Sequence, residues 1–184
     1  ILDTGVGPMI ITDTSLLSSL ALKNLRPVKI SGLGKGNEIE AFLVNDISVS
    51  IGKSAMDNVP ATILKEDIFG LSSYVGTRIY GLIGHSFFSS FVVELKYSSK
   101  RLLFSLTGHA RKITGEKIPL EIINNKPHTT LDIVTAELGS VTVKVVVDNG
   151  ASHAISLETH QKKPFPVPEN AIEANLGVGL SGPI

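Results

Sequence analysis

Two aspartates at matched places in the chain carry the chemistry that this sequence offers. Asp3 opens the triplet Asp3-Thr4-Gly5, and Asp148 opens Asp148-Asn149-Gly150, 145 residues further on. The same step separates Gly5 from Gly150, Ile10 from Ile155, Gly32 from Gly177, Gly34 from Gly179 and Ile39 from Ile184. The sequence therefore contains an internal repeat. In each copy an apolar strand, Ile1-Leu2 or Val143 to Val147, runs into the Asp-x-Gly turn, and a glycine-rich tip begins 29 residues after the aspartate. Two related halves that each deliver one carboxylate can build a paired-carboxylate site, in which one ionised group activates water and one protonated group polarises a carbonyl. Gly5 and Gly150 suit a backbone that turns sharply after the aspartate and aims its N–H groups back at the carboxylate.

The residues that carry this pattern resemble the aspartic peptidases, and within them the retropepsin-like branch. The resemblance rests on Leu2-Asp3-Thr4-Gly5, on the flap-like Ser31-Gly32-Leu33-Gly34-Lys35-Gly36, and on Tyr80-Gly81-Leu82-Ile83-Gly84 leading into Phe87-Phe88. The chain looks most like bacterial aspartyl proteases that carry two retropepsin-like lobes in one polypeptide, often followed by a PDZ domain, and no PDZ-like segment lies within these residues. The resemblance implies an all-β acid-protease fold with two closed-barrel lobes and few short helices. The first lobe would span 1–106 without its N-terminal strands, the polar stretch 107–117 would link the lobes, and the second lobe, 118–184, would be cut short at its C-terminal end. The activity it implies is that of an aspartic endopeptidase needing neither metal nor organic cofactor, acting on a peptide or protein substrate in the cell envelope, the periplasm or a secreted location.

Carried over residue by residue, the resemblance makes Asp3 and Asp148 the catalytic dyad. In that family two carboxylates about 3 Å apart cannot both ionise cheaply, so they share a proton. Thr4 would reach across to the opposite loop through its hydroxyl and brace the two aspartates. Asn149 occupies the equivalent place in the second copy, where its larger amide keeps a hydrogen bond but not a symmetric hydroxyl brace. Ala151-Ser152 is family-like, and the Ser152 hydroxyl is the expected partner of Asp148. Gly32-Leu33-Gly34 and Gly177-Val178-Gly179 would be the tips of two hairpins that fold over a bound peptide. The Leu82-Ile83-Gly84 signature would sit under the aspartate loop, followed by a short helix between His85 and Phe91. The alternative from another class is a catalytically inactive peptide-binding or scaffolding module with the same fold, which loss of the Thr4-to-Asn149 contact would favour. A homodimer is the arrangement expected if the lobes pair between chains instead of within one.

Composition narrows the field. Seventeen basic and seventeen acidic residues give a net charge of zero, which offers no electrostatic footprint for nucleic acid. The chain has no cysteine, which excludes disulfides, thiol catalysis and cysteine-bound zinc. No apolar run approaches the ~20 residues of a membrane-spanning helix. The five histidines, at 85, 109, 128, 153 and 160, form no helical metal-ligand pair, although His153 lies close enough to Asp148 in sequence to contact a substrate. Gly177-Val178-Gly179-Leu180-Ser181-Gly182 matches a dinucleotide fingerprint but lacks a surrounding βαβ unit, and Gly52-Lys53-Ser54 reads as a turn.

The elements that must position these residues are mostly strands. Short β-branched and alternating runs predict strands at Val28 to Ser31, Ile39 to Leu43, Ile47 to Ile51, Ala61 to Leu64, Phe91 to Tyr97, Leu102 to Leu106, Leu120 to Ile123, Thr129 to Thr135 and Val141 to Val147. Tight turns are predicted at Tyr97 to Lys100 and at Leu138 to Ser140. Leu16, Leu17, Leu20 and Leu22 behind a capping Asp13 or Thr14 predict a helix from Ser15 to Asn24, and a weaker pattern predicts another at Lys65 to Phe69 with an extension to Ser73. Gln161 to Glu169, with three prolines, reads as a loop, and Phe87, Phe88 and Phe91 read as core.

Overall fold

The computed structural model describes residues 1–20, 22, 24–32, 36–109, 112, 114–157, 165–167, 169–174 and 178–183. In chain order the strands are β1 (Met9–Ile11), β2 (Arg26–Ile30), β3 (Ile39–Ile51), β4 (Ser54–Leu64), β5 (Gly81–Leu82), β6 (Val92–Lys96), β7 (Arg101–Ser105), β8 (Glu121–Ile123), β9 (Lys126–Thr135), β10 (Gly139–Val146), β11 (Val178–Gly179) and β12 (Gly182–Pro183). The α-helices among the described residues are short: α1 (Leu17–Leu20), α2 (Leu71–Val75) and α3 (His85–Ser90). The protein is mostly β with few short helices, as its sequence predicts. Among the described residues no helix is long and apolar enough to cross a membrane.

The strands form a five-stranded sheet in the order β2-β3-β4-β1-β5, a three-stranded sheet β10-β9-β8, and the hairpins β6-β7 and β11-β12. None of these closes into a barrel among the described residues. The closed-barrel lobes that the resemblance implies are therefore not seen: among the described residues the three-stranded sheet ends at β8 and β10 with no further strand bonded to either.

β1 is the strand that leaves the Asp3 loop, and it is buried on both faces. Met9 and Ile11 join Val44, Ile47, Val59, Ala61 and Ile63 in one buried cluster, while Ile10 joins Ala41, Leu64 and Leu82 in another. Successive residues of a strand point to opposite faces, so an unbroken apolar run suits a strand covered on both sides. β1 runs parallel to β4 and antiparallel to β5. At the edge of this core, α3 inserts Phe87, which is 0% exposed. Its ring lies 5.1 Å from that of Phe91 and 5.4 Å from that of Phe104 on β7. The second half contrasts with this. Beyond residue 118 the buried residues among those described are Thr129 and Ser181, whereas Leu120 and Ile122 are each 55% exposed.

Several elements differ from the sequence expectation. The two strands expected within 39–51 are one, β3, joined through register irregularities between Val44 and Val49 that absorb Asn45 and Asp46. β4 starts seven residues earlier than the apolar run at Ala61, because the two-residue turn Gly52-Lys53 folds it back along β3. Among the described residues the helix expected at Ser15 to Asn24 is a 3-10 turn, Thr14–Leu16, followed by the four residues of α1. Asp13 does cap it, accepting from Ser15 N–H at 2.9 Å. Leu16, Leu17, Leu22 and Leu25 all pack on the first cluster, so tertiary burial satisfies them without continuous helix, and Asn24 takes a left-handed φ of 61° before β2 begins. Lys65 to Phe69 is not helical. The Asp67 carboxylate accepts from the Phe69 and Gly70 N–H groups, both at 3.1 Å, and this local bonding competes with helix. The helix starts at α2, which overlaps only the expected extension to Ser73. Most of Gln161 to Glu169 lies outside the described residues.

Phe87→Ala is expected to lower unfolding free energy by about 3–5 kcal/mol, the usual result of emptying a fully packed aromatic site. Urea denaturation followed by circular dichroism measures it, and a loss below about 1 kcal/mol would contradict the packing described for α3.

Candidate active site

The loop that carries Asp3 is fixed from below by the β5 region. Leu2 forms a parallel bridge with Ile83, Asp3 N–H donates to Ile83 O at 3.0 Å, and Ile83 N–H donates to Ile1 O at 2.8 Å. The loop then lies directly on Gly84. A Cβ at that glycine would fall 2.7 Å from the carbonyl carbon of Val6 and 3.0 Å from Gly7 O, too close for any side chain. The next N–H, that of His85, donates to Val6 O and Gly7 O, each at 3.0 Å. Leu82-Ile83-Gly84 thus sits under the first aspartate loop and leads into α3, where the resemblance places it.

The second loop hangs from the end of β10. Val147 N–H donates to Pro127 O at 2.8 Å, one step past the last paired residue, and the chain leaves the sheet at Asp148. In both loops the aspartate folds back on its own turn. Asp3 Oδ1 accepts from Gly5 N–H at 2.8 Å, and Asp148 Oδ1 accepts from Gly150 N–H at 2.8 Å and Ala151 N–H at 3.2 Å. Ser152 is exposed and its hydroxyl makes no hydrogen bond to Asp148, contrary to expectation. The backbone of Ala151 takes that place.

The two loops clasp each other within one chain. Thr4 Oγ1 accepts from Asn149 N–H at 3.0 Å and donates to Val147 O at 2.7 Å. In return Asn149 Oδ1 accepts from Thr4 N–H at 2.7 Å, and its Nδ2 donates to Leu2 O at 3.4 Å. Each residue therefore takes the other's N–H and gives a proton to the carbonyl preceding the other aspartate. A hydroxyl does both through one atom, whereas an amide divides the work between its oxygen and its nitrogen. The brace is not a symmetric pair of hydroxyls, but the amide keeps its hydrogen bonds and the pattern is reciprocal. Thr4 Oγ1 also lies 3.1 Å from Asn149 Oδ1.

Reciprocity extends to the carboxyl groups. A Cβ at Gly150 would lie 2.5 Å from Asp3 Cγ, and one at Gly5 would lie 2.5 Å from Asp148 Cγ. Each carboxyl group is thus seated against the opposite loop's glycine, close enough for the charge of Asp148 to act on Asp3. Their surroundings are unequal: Asp3 is half-buried and Asp148 exposed. Burial, followed by the negative charge of Asp148, pushes Asp3 up to about 6, while the Gly5 N–H and the more distant Lys126 cation pull the other way. The arrangement can hold one proton between two carboxylates above the clasp.

The glycine-rich tips also meet. Gly32 N–H donates to Ser181 Oγ at 2.9 Å, and Gly36 N–H donates to Ser181 O, two positions 145 residues apart. Leu180 packs so closely on Gly32 that a Cβ there would lie 2.7 Å from the Leu180 Cβ. Gly179 lies in β11 of the small hairpin that presents Ser181. Leu33, Gly34 and Gly177 fall outside the described residues, as does the side chain of Val178. Sequence reasoning missed Ser181 as a contact residue, although the 145-residue step pairs Ser181 with Gly36. Among the described residues no cluster of His, Cys, Asp or Glu is suited to a metal ion. Comparisons with protein-family models, with curated proteins and with solved structures each returned no match, so the functional reading rests on the geometry of this chain.

Asn149→Ala removes an acceptor and a donor from the clasp and is expected to cost about 2 kcal/mol in urea unfolding, at about 1 kcal/mol per hydrogen bond. Asn149→Thr restores both functions and should recover most of it; equal stability of the two variants would contradict the clasp. A second expectation concerns pH. Because the folded pKa of Asp3 lies above the ordinary value of 3.8, its contribution to stability is fully present below that value and is lost as pH rises through about 6. Asp3→Asn should therefore gain in melting temperature relative to the unmodified protein between pH 4 and pH 7. A difference that stays constant across that window would contradict the shift.

Proposed function

We propose that this protein is an aspartic endopeptidase of the retropepsin-like kind, in which two related lobes of one chain, 1–106 and 118–184 joined by 107–117, each contribute one catalytic aspartate. The observation that carries the reading is the reciprocal seating of Asp3 and Asp148 against Gly150 and Gly5. The substrate is a peptide or protein chain, and the glycine-rich tips at Gly32 and at Val178 to Gly179 are the segments that fold over it.

The geometry performs hydrolysis as follows. Asp3, the more buried partner, holds the shared proton, and Asp148 is the base. Asp148 takes a proton from a water molecule whose oxygen attacks the scissile carbonyl carbon, while Asp3 gives its proton to the carbonyl oxygen. The tetrahedral diol then collapses: the C–N bond breaks, the amide nitrogen receives a proton from Asp148, Asp3 recovers one from a diol hydroxyl, and a carboxylic acid and an amine leave. Holding both carboxyl groups in place before the reaction lowers the reorganisation that the step requires. The clasp of Thr4 and Asn149 supplies that rigidity and argues against the inactive binding module, for which a broken clasp was the mark.

Asp3→Asn and Asp148→Asn should each reduce cleavage of an unfolded protein substrate by at least about a thousandfold while leaving circular dichroism unchanged. Cleavage by the unmodified chain should decline as pH rises through about 6, where Asp3 loses the proton. Substantial turnover by either variant, detected by mass spectrometry of the products, would refute the dyad.

A further inference from the structure

The turn between β8 and β9 touches both aspartate loops. Asn124 and Asn125, with φ of 50° and 62°, form the two-residue reversal that this hairpin needs. Asn125 lies beneath Gly7 of the first loop, where an added Cβ would sit 3.5 Å from the Asn125 Cβ and 3.7 Å from Asn124 O. Pro127, two residues further on, accepts the N–H of Val147 at 2.8 Å, next to Asp148. Lys126 stands between these two contacts, paired with Ile123 across the turn. Its backbone carbonyl is held by the His128 ring nitrogen at 2.9 Å. The residue is therefore placed at the junction of the loops by contacts on each side.

Its charge is not consumed by an ion pair. Lys126 is exposed and takes part in no ion pair among the described residues. The acidic side chains of the same sheet are engaged elsewhere: Glu121 pairs with Lys144 at 2.5 Å, and Asp132 accepts from Thr142 Oγ1 at 2.5 Å. The carboxylate whose field it enters is Asp3. A dyad with one proton carries a net negative charge and repels any acidic side chain that a peptide brings close. An unpaired lysine beside it reverses that preference.

We propose that Lys126 is a specificity-determining residue that recognises an acidic side chain, glutamate or aspartate, on a peptide lying across the two aspartate loops. This rests on the endopeptidase reading for the placement of the peptide.

The test separates recognition from turnover. Asp148→Asn is used as the binding chain, so that bound peptide is not consumed. The probes are fluorescein-labelled, C-terminally amidated octapeptide pools, in which one position is fixed as Glu or Gln and the others are mixtures of Ala, Leu, Phe, Ser and Thr. In the position nearest Lys126 the Glu pool should bind about fivefold tighter than the Gln pool at low salt, and the advantage should shrink as ionic strength rises. Adding Lys126→Met should bring the ratio to one or below, and Lys126→Glu should favour Gln. A Glu advantage that survives Lys126→Met, no advantage at any position, or no binding of either pool would overturn the proposal. An advantage that appears only with free C-termini would assign the lysine to a terminal carboxylate and overturn it as stated. Failure of the unmodified chain to cleave any peptide would instead refute the endopeptidase reading while leaving this binding preference measurable.

Discussion

The clasp between Thr4 and Asn149 is the constraint on which the rest of the site depends. Two carboxyl groups in contact repel each other whenever both ionise, so the loops that carry them need a compensating attraction. The clasp supplies it through reciprocal hydrogen bonds that link each loop's middle residue to the other loop's backbone. At about 1 kcal/mol net for each bond, the sum is a considerable share of the few kcal/mol by which a domain is stable. The glycines follow from the same constraint, because the carboxyl groups reach each other only where Gly5 and Gly150 leave room.

The two aspartates differ because the two halves of the chain support them differently. The first loop rests on Gly84, α3 and the doubly covered strand β1, so Asp3 is drawn toward the packed core and is half-buried. The second loop hangs from a three-stranded sheet in which no apolar residue among those described is buried, and Asp148 remains exposed with it. Unequal packing becomes unequal electrostatics. Burial and the neighbouring charge raise the proton affinity of Asp3 without any difference in side-chain chemistry.

Much of this was legible in the sequence, and the part that was not has physical causes. The repeat step of 145 residues named the aspartates, their glycines and the Thr4-Asn149 pair, and these meet. It could not show that an amide would imitate a hydroxyl, because that depends on the distance between the loops and not on residue type. β3 read as two strands because Asn45 and Asp46 interrupt the apolar alternation, and only pairing with β4 carries the strand across them. The helix after Asp13 read too long because Leu22 and Leu25 fit a helical face, yet they reach the same core from irregular chain. Ser152 looked like a ligand for Asp148, but the Ala151 N–H, already in the turn, satisfies that oxygen first. Lys126 carries no motif. Its place is set by a turn that lies far from either aspartate in sequence.

The most direct test of the account is the titration of the Asp3 carboxyl carbon by NMR, in the unmodified protein and in Asp148→Asn. If the two carboxyl groups form a dyad, Asp3 titrates near 6, and replacing its charged neighbour moves the midpoint down toward the ordinary carboxylate range. A midpoint near 4 in both proteins would mean that the two aspartates do not share a proton, and would contradict the account.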